Sequence, residues 1–320
     1  MTDPTAAASG AAVAESAADF VTAAEQVETK PGKPRSLASD AWHDLRRRPL
    51  FLISSALILL ILVMAAFPGL FTSVDPTHAE LSRSREGPSS QAWFGYDNQG
   101  ADIYARVIYG ARASVVVGVL ATLLTVLLGG TLGIVAGYAG GWVDGLLSRI
   151  ADIFFGLPFV LGAIVILTTF RASGSTNVVK IVALVVLSMS VLSWPVAMRI
   201  MRSAAISAKQ QDYVRAARAL GASARRVIVR HLLPNTLAPV LVYATIALGA
   251  FIGVEATLSF LGIGLRPPVV SWGVMIADSR DYIRIAPHLL LFPAGFLTAT
   301  VLAFVMLGDA VREALDPKLR

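Results

Sequence analysis

Residues 212–235 read DYVRAARALGASARRVIVRHLLPN, an arginine-rich stretch with a long apolar run on each side. Between positions 199 and 235 the chain carries eight Lys or Arg residues and a single acid, Asp212. Loops on the cytoplasmic side of membrane proteins carry an excess of Lys and Arg. The sequence therefore predicts a cytoplasmic loop between two membrane spans.

The interior of this loop is predicted to be helical. Alanine and arginine favour helix, and Gly221 can end a first helix in a left-handed cap. A second short helix can begin at Ser223, and Pro234 suits the first turn of the next membrane helix because its missing N–H is not needed there. The pattern predicts a helix–glycine–helix knob on the inner face of a membrane protein, a shape suited to docking a partner.

The knob and its flanks carry a resemblance to a known family. The pattern Ala216-Ala217-xxx-Gly221, followed by Leu233-Pro234, resembles the EAA motif with which permeases of bacterial ABC importers couple to their ATPases. The order and spacing of further segments, from about Asp40 to Arg320, resemble the dipeptide/oligopeptide permease C subfamily. These segments are YGAR (109–112), GYAGGWVD (137–144), AARALGAS (216–223), RHLLPN (230–235), EATLSFLG (255–262), PPVVSWG (267–273) and GDAVREALDPKL (308–319).

Two segments depart from the family's pattern. Arg215 stands where the motif has its glutamate, and Phe94–Asp102 replaces the family's LGTD-x-LGRD segment. The resemblance implies that the exposed part of the knob contacts an ATPase. The residues that it assigns to this contact are Asp212, Tyr213, Arg215, Ala216, Ala217, Leu220, Gly221, Arg225 and Arg226.

Composition alone favours a polytopic membrane protein. The chain has 320 residues, of which 55% are hydrophobic and 15% charged, with a mean hydropathy of +0.67, whereas soluble domains are about 25% charged. The net charge of +6 sits at membrane borders and in the 199–235 loop, which disfavours nucleic-acid binding. Without cysteine and with only four scattered histidines, no metal site is expected.

No catalytic constellation or P-loop is present in the sequence. Its only Gly-Lys pair, Gly32-Lys33, is followed by Pro34, so this chain is not expected to bind ATP phosphates. We therefore expect no cofactor in this chain, and the resemblance implies that ATP and Mg²⁺ bind a separate ATPase.

Six spans are predicted, because about 20 apolar residues cross a bilayer. Residues 1–36 are predicted to be a disordered cytoplasmic tail, and 37–49 an elbow helix at the inner membrane interface or, alternatively, a plain positive anchor. A first span (50–71) and an extracytoplasmic loop (72–108) precede a transmembrane core (109–312), and 313–320 form a cytoplasmic tail. The core helices are predicted at about 113–138, 148–170, 178–198, 236–263 and 288–308.

Several residues within the predicted spans are candidates for packing or transport. Gly129, Gly133, Gly137 and Gly141 recur at four-residue spacing, which predicts a close helix contact either within this chain or with another subunit. Prolines remove a backbone hydrogen bond and permit kinks, so Pro158 and Pro195 either line a moving pathway or pack statically. Glu255 either lines the pathway or bonds the exposed backbone of a neighbouring helix, since ionisable groups inside membranes are costly and usually functional.

The outer loop 264–287 begins with Pro267-Pro268, which is predicted to stop the fifth span. The resemblance implies that this loop, with Trp272 and Gly273, forms a periplasmic scoop over the pathway. The alternative is an ordinary connection in which Trp272 is an anchor at the membrane interface.

The resemblance implies an all-α type I ABC importer permease with cytoplasmic EAA coupling helices, in a bacterial cytoplasmic (inner) membrane with both termini inside. Such a subunit forms half of a pathway for di- and oligopeptides. Its implied partners are a second, B-type permease subunit, one or two ATPases, an extracytoplasmic peptide-binding protein or lipoprotein, and membrane lipid. The alternatives are a permease for nickel or another small solute, an ATP-independent transporter, and a membrane anchor without a transport role.

Overall fold

A computed structural model describes residues 45–170 and 177–315 of the chain. The predicted tail at 1–36, most of the predicted elbow helix and the last five residues lie outside these ranges. Helices dominate the described part. They are α1 (Pro49–Ala66), α2 (Ile103–Ala139), α3 (Gly141–Gly156), α4 (Phe159–Phe170), α5 (Val178–Lys209), α6 (Asp212–Ala219), α7 (Ala224–Phe260, with a π-helical turn at Val227–Leu232), α8 (Trp272–Ser279) and α9 (His288–Leu315).

Five of these helices, α1, α2, α5, α7 and α9, are long and apolar enough to cross a membrane. The pair α3 and α4 makes a sixth span if it is counted as one, although the two helices are bent by 90° relative to each other. The structure is thus the predicted all-α membrane protein with five or six spans.

The third predicted span is broken where a continuous helix over 148–170 was expected. Leu157 has an extended backbone (φ −85°, ψ 121°) and ends α3, and α4 begins after Pro158. A proline disfavours the helical conformation of the residue before it, because its ring clashes with that residue's backbone. Pro158 therefore separates two helices rather than kinking one.

Other helices are longer than predicted from apolar length alone. Asp102 caps α2 by accepting a hydrogen bond from the Ala105 N–H at 2.9 Å, so the helix begins ten residues before the predicted 113. α5 continues beyond the predicted 198 to Lys209. At 1.5 Å per residue these two helices are about 55 and 48 Å long, more than the roughly 30 Å hydrocarbon core of a bilayer.

The glycine stripe packs against α5 of the same chain. A Cβ added at Gly129 would lie 2.4 Å from the Trp194 carbonyl oxygen, and one added at Gly133 would lie 2.4 Å from that of Met198. Gly137 faces the Cβ of Ala205 in the same way, at 2.7 Å. These glycines let the two backbones approach closely.

Gly141 does not belong to this stripe, contrary to the four-residue spacing. It has a φ of +53°, begins α3, and has no atom within 4 Å of an added Cβ. The helix that carries the other three glycines ends at Ala139, so the helical spacing no longer applies at position 141.

One apolar cluster unites α1, α2, α7, α8 and α9. Its buried members include Ile58, Met64, Val107, Ile252, Trp272, Leu289 and Phe304. The cluster fixes the loop that carries α8 onto the bundle, at the end of α7 away from the knob.

Candidate functional site

The predicted knob is present as α6, a glycine turn and the start of α7. Its second helix is not a separate short helix, because it continues through Pro234 into the membrane helix. Gly221 has a φ of +79°, and its N–H donates to the Arg218 carbonyl at 2.9 Å, while the Ala222 N–H donates to that of Ala217 at 3.0 Å. This pair of hydrogen bonds is the Schellman cap, in which glycine is favoured because it has no Cβ. The Ser223 side chain then accepts from the Arg226 N–H at 3.4 Å and starts α7.

The inner face of the knob is held by an apolar anchor that sequence reasoning missed. Val214 is completely buried and packs in a cluster with Met201 and Ala205 of α5 and with Val227 and Leu232 of α7. The signal in the sequence was an apolar, β-branched residue inside an otherwise polar helix. Burial of a Val side chain contributes roughly 1.5–3 kcal/mol, so this contact fixes the direction of α6.

The outer face of the knob is open. Leu220, at its tip, is 89% exposed, and Tyr213 is 41% exposed. Leu220 and Tyr213 thus place apolar surface among the exposed arginines of the knob, where a partner can cover it. Of the predicted ATPase-contacting residues, Ala217 is half-buried and the others are exposed, namely Asp212, Tyr213, Arg215, Ala216, Leu220, Gly221, Arg225 and Arg226.

Part of the loop's positive charge is matched within the chain. Arg202 binds Asp144 of α3, with one N–O distance of 2.6 Å, and Arg199 binds Asp152 at 2.7 Å. Lys209 donates to the Tyr138 carbonyl at 2.5 Å. The basic side chains that face outward near the tip are therefore fewer than the eight in the sequence, and they include Arg215, Arg225, Arg226 and Arg230.

Arg215, which replaces the motif's glutamate, has an exposed environment. Its guanidinium lies 3.9 Å from the Asp212 carboxylate, and the two side chains are 71% and 100% exposed. Exposed pairs of this kind contribute little to stability. Arg215 is thus available to a partner.

Glu255 is completely buried, so it does not line an open surface of this chain. Its carboxyl group accepts hydrogen bonds from three serine hydroxyls: Ser259 at 2.8 Å, Ser271 at 3.0 Å and Ser114 at 3.2 Å. The partner groups are side chains, whereas a neighbouring backbone was the expected structural alternative. Pro195 is buried within α5 and Pro158 is exposed at the break between α3 and α4.

Trp272 is an internal side chain and does not lie at the membrane interface. It is 0% exposed, and its indole N–H donates to the Val107 carbonyl at 2.9 Å. The next residue, Gly273, has no space for a side chain, because an added Cβ would lie 2.6 Å from Cα of Ala256. The anchor interpretation of Trp272 is therefore wrong. Pro267 and Pro268 lie in the loop between α7 and α8, but they do not stop the fifth span as predicted, because α7 already ends at Phe260 and Gly262 follows with a φ of +76°.

The segment Phe94–Asp102 is well packed despite its departure from the family's pattern. Phe94 stacks on Phe292 at 3.9 Å between ring centroids. The Asp97 carboxylate accepts the N–H groups of Gln99 and Ala101 and pairs with Arg106. The loop 72–108 is thus tied to α2 and α9.

Residues 45–170 and 177–315 contain no group of three or more His, Cys, Asp or Glu side chains that could hold a metal ion.

Two family models match different parts of the chain. Residues 129–320 match the family model of the binding-protein-dependent transport system inner membrane component. Residues 36–97 match the model of the N-terminal TM domain of oligopeptide transport permease C. The two matches include the loop 72–108 up to Asp97 and everything from the glycine stripe onward.

Two curated relatives align over most of the chain. The dipeptide transport system permease protein DppC of Alkalihalophilus pseudofirmus is 38% identical over 281 residues, covering 88% of this chain and 90% of the relative. The glutathione transport system permease protein GsiD of Escherichia coli is 37% identical over 292 residues, covering 91% and 94%.

Among solved structures, an inward-facing MetNI methionine ABC transporter matches with a TM-score of 0.52 at 20% identity, covering 66% of this chain and 96% of the other. At this identity the match shows the fold alone, which is that of an ABC importer permease.

Proposed function

Since the chain belongs to the family of binding-protein-dependent transport system inner membrane components, we propose that it forms half of the membrane pathway of an ATP-driven importer of di- and oligopeptides. The other half is a second, B-type permease subunit. The peptide class is supported by the names of the relatives, which transport dipeptides and glutathione, and by the oligopeptide permease model that matches the N-terminal part.

The observation that carries the coupling role is the knob itself. An exposed apolar tip, Leu220, stands on a helix whose other face is fixed by buried Val214. A partner that moves this tip therefore moves α6 as a body together with the adjoining ends of α5 and α7. The partner is an ABC ATPase, present as one or two subunits, which binds ATP and Mg²⁺ and receives Leu220 and the arginines around it.

The coupling role is tested by placing a charge at the tip. We expect Leu220→Asp to abolish solute-stimulated ATP hydrolysis in the complex and to weaken co-purification of the ATPase, because a desolvated carboxylate would replace an apolar contact. Leu81→Asp is the matched control, since Leu81 is 76% exposed on the loop 72–108, away from the knob. Unchanged coupling in Leu220→Asp would reject the knob as the docking site.

A second substitution examines the charge of the ATPase surface. Arg215→Glu restores the residue type of the family motif at an exposed position. If Arg215 meets an acid on its ATPase, the reversal weakens the complex; a stronger complex would instead indicate that a basic surface faces it.

We further propose that the knob and both termini lie in the cytoplasm and that solute arrives outside from a binding protein or lipoprotein. Single cysteines at Ser89 and Asp281 should react with an impermeant reagent from outside, and one at Ser223 only after permeabilisation. All three side chains are exposed, and the native chain has no cysteine. Reaction of the cysteine at position 223 from outside would reverse the topology.

The solute class is tested with the reconstituted importer and its binding protein. Dipeptides, longer peptides, glutathione and Ni²⁺ are compared for their stimulation of ATP hydrolysis. We expect peptides to stimulate it; stimulation by Ni²⁺ alone would favour the alternative of a metal importer, and transport without ATP would contradict the proposal.

A further inference from the structure

Each of the three serines around Glu255 uses its hydroxyl oxygen twice. The Ser259 hydroxyl donates to the carboxyl group at 2.8 Å and accepts the N–H of Leu265 at 3.0 Å. A serine hydroxyl has one proton and two lone pairs. Because its oxygen accepts a backbone N–H, its single proton is directed to Glu255.

The other two serines repeat this arrangement on different elements. Ser271 donates to Glu255 at 3.0 Å and accepts the N–H of Val274 at 3.2 Å. Ser114, on α2, donates at 3.2 Å and accepts the N–H of Trp272 at 3.3 Å. One carboxyl group thus organises three hydroxyls that hold the backbone of residues 265–274, which lie within the outer segment (residues 261–279).

The outer segment also lies directly on α7. A Cβ added at Gly264 would be 2.5 Å from the backbone nitrogen of Ser259, and one at Gly273 would be 3.1 Å from Oε1 of Glu255. No side chain separates the two backbones there. A buried hydrogen-bonded network in such a close contact fixes geometry, because each unmet group inside it is costly.

The helix that carries Glu255 begins behind the knob. α7 is helical from Ala224 to Phe260, about 55 Å at 1.5 Å per residue. The coupling knob and the outer segment are therefore attached to opposite ends of one helix.

We propose that Glu255 is a positioning residue that fixes the outer segment to the outer end of α7, so that the segment follows this helix when the ATPase moves the knob. The anchoring stands on the geometry alone, whereas its role in coupling rests on the proposed function. Glu255, the acidic residue inside α7, thereby has a role in transport without touching the solute.

The anchoring is tested by the reactivity of a buried cysteine in the cysteine-free full-length chain. Val269, in the outer segment, is 6% exposed. In a Val269→Cys background, Glu255→Leu should raise the rate of thiol labelling on the order of tenfold, because three hydroxyls lose their acceptor. Glu255→Gln keeps a carbonyl oxygen for Ser259 and Ser271 and should restore most of the protection. An unchanged rate in Glu255→Leu would overturn the anchoring.

A second cysteine separates local loosening from unfolding. Val214→Cys, in the completely buried anchor of the knob, should label at the same rate with and without Glu255. If Glu255→Leu exposes both positions, the milder Ser271→Ala decides: faster labelling at 269 alone supports the anchoring, and no change there overturns it.

The coupling role is tested in the complete complex. Glu255→Leu should retain ATPase binding and basal ATP hydrolysis and lose most stimulation by solute-loaded binding protein. Asp281→Asn, an exposed acid of the outer loop, is the control. Full stimulation despite faster labelling at 269 would overturn the coupling role, whereas failure of the native chain to recruit any ATPase would overturn the proposed function and leave the anchoring intact.

Discussion

The knob and the outer segment lie at the two ends of α7. Each contains a left-handed glycine turn, but one turn adjoins an exposed surface and the other precedes a buried one. Gly221 ends α6 with a φ of +79°, and Gly262 ends α7 with a φ of +76°. Leu220 beside the first turn is 89% exposed, whereas Trp272 beyond the second is 0% exposed. The turn defines where a helix ends; the residues around it decide whether that end is a docking surface or part of the fold.

The two ends also differ in how they are held. Apolar packing centred on Val214 fixes the knob and leaves its tip open to a partner. A polar network around Glu255 fixes the outer segment from three sides. Apolar contacts are non-directional, while hydrogen bonds fix geometry, so the outer segment is the more precisely positioned of the two.

The largest effect is expected at the buried tryptophan of the outer segment. Trp272→Ala leaves a cavity and removes the indole hydrogen bond to the Val107 carbonyl, and such truncations cost roughly 3–5 kcal/mol. Its thermal midpoint in detergent should fall strongly. Trp142→Ala, at a 78% exposed position, should leave the midpoint unchanged; equal losses would show that the outer segment is no more integral to the fold than an exposed site.

Next in size is the contact between α2 and α5, which supports the knob. Gly133→Leu places a side chain where an added Cβ would already lie 2.4 Å from a carbonyl oxygen, and overpacking costs about 1–3 kcal/mol. We expect less assembled protein in the membrane. Gly295→Leu, with nothing within 4 Å, should assemble normally, and normal assembly of Gly133→Leu would contradict the packing.

The two glycine turns provide a matched pair. Gly221→Val and Gly262→Val each force a β-branched residue into the left-handed region, at about 1–2 kcal/mol. The losses of stability should be similar. ATPase co-purification should fall only for Gly221→Val, and thiol labelling at position 269 should rise only for Gly262→Val. The reverse pattern would contradict the division of roles between the two ends.

The smallest effect concerns Asp278 at the end of α8. The Asp278 side chain is exposed, but partial desolvation by its surroundings raises the pKa of its carboxyl above the usual 3.8; Arg106 opposes this shift and Asp97 adds to it. The folded state therefore binds the proton more tightly than the unfolded state, so stability is gained as the pH falls through the raised pKa. Measured at several pH values, the thermal midpoint of Asp278→Asn should lack this gain; an identical pH profile would contradict the assignment.

The sequence predicted what depends on local chemistry and composition. Charge asymmetry and apolar length indicated the spans, and Gly221 predicted the turn of the knob. The extra length of α2 and α5 was not predictable from apolar length. Polar residues that continue a helix beyond the membrane resemble loop residues in composition. The break at Pro158 was read as a kink, since a proline inside an apolar run is compatible with either.

The role of Glu255 could not be inferred from its own neighbourhood. Ser259 lies one turn away, but Ser114 is 141 residues and Ser271 16 residues distant along the chain. Likewise, the stripe of Gly129, Gly133 and Gly137 indicated a close contact and not its partner, which lies on α5. Contacts between remote segments require the three-dimensional arrangement.

The packing of α1 has a consequence for how the chain is made. Ile58 and Met64 of α1 are buried in a cluster with Phe304 of α9, and Arg48 binds Glu313, 265 positions later. At about 5–20 residues per second, translation separates the two helices by roughly 13–53 s. During that interval α1 can wait in the bilayer with part of its final interface covered by lipid, so this helix is inserted well before α9 encloses it.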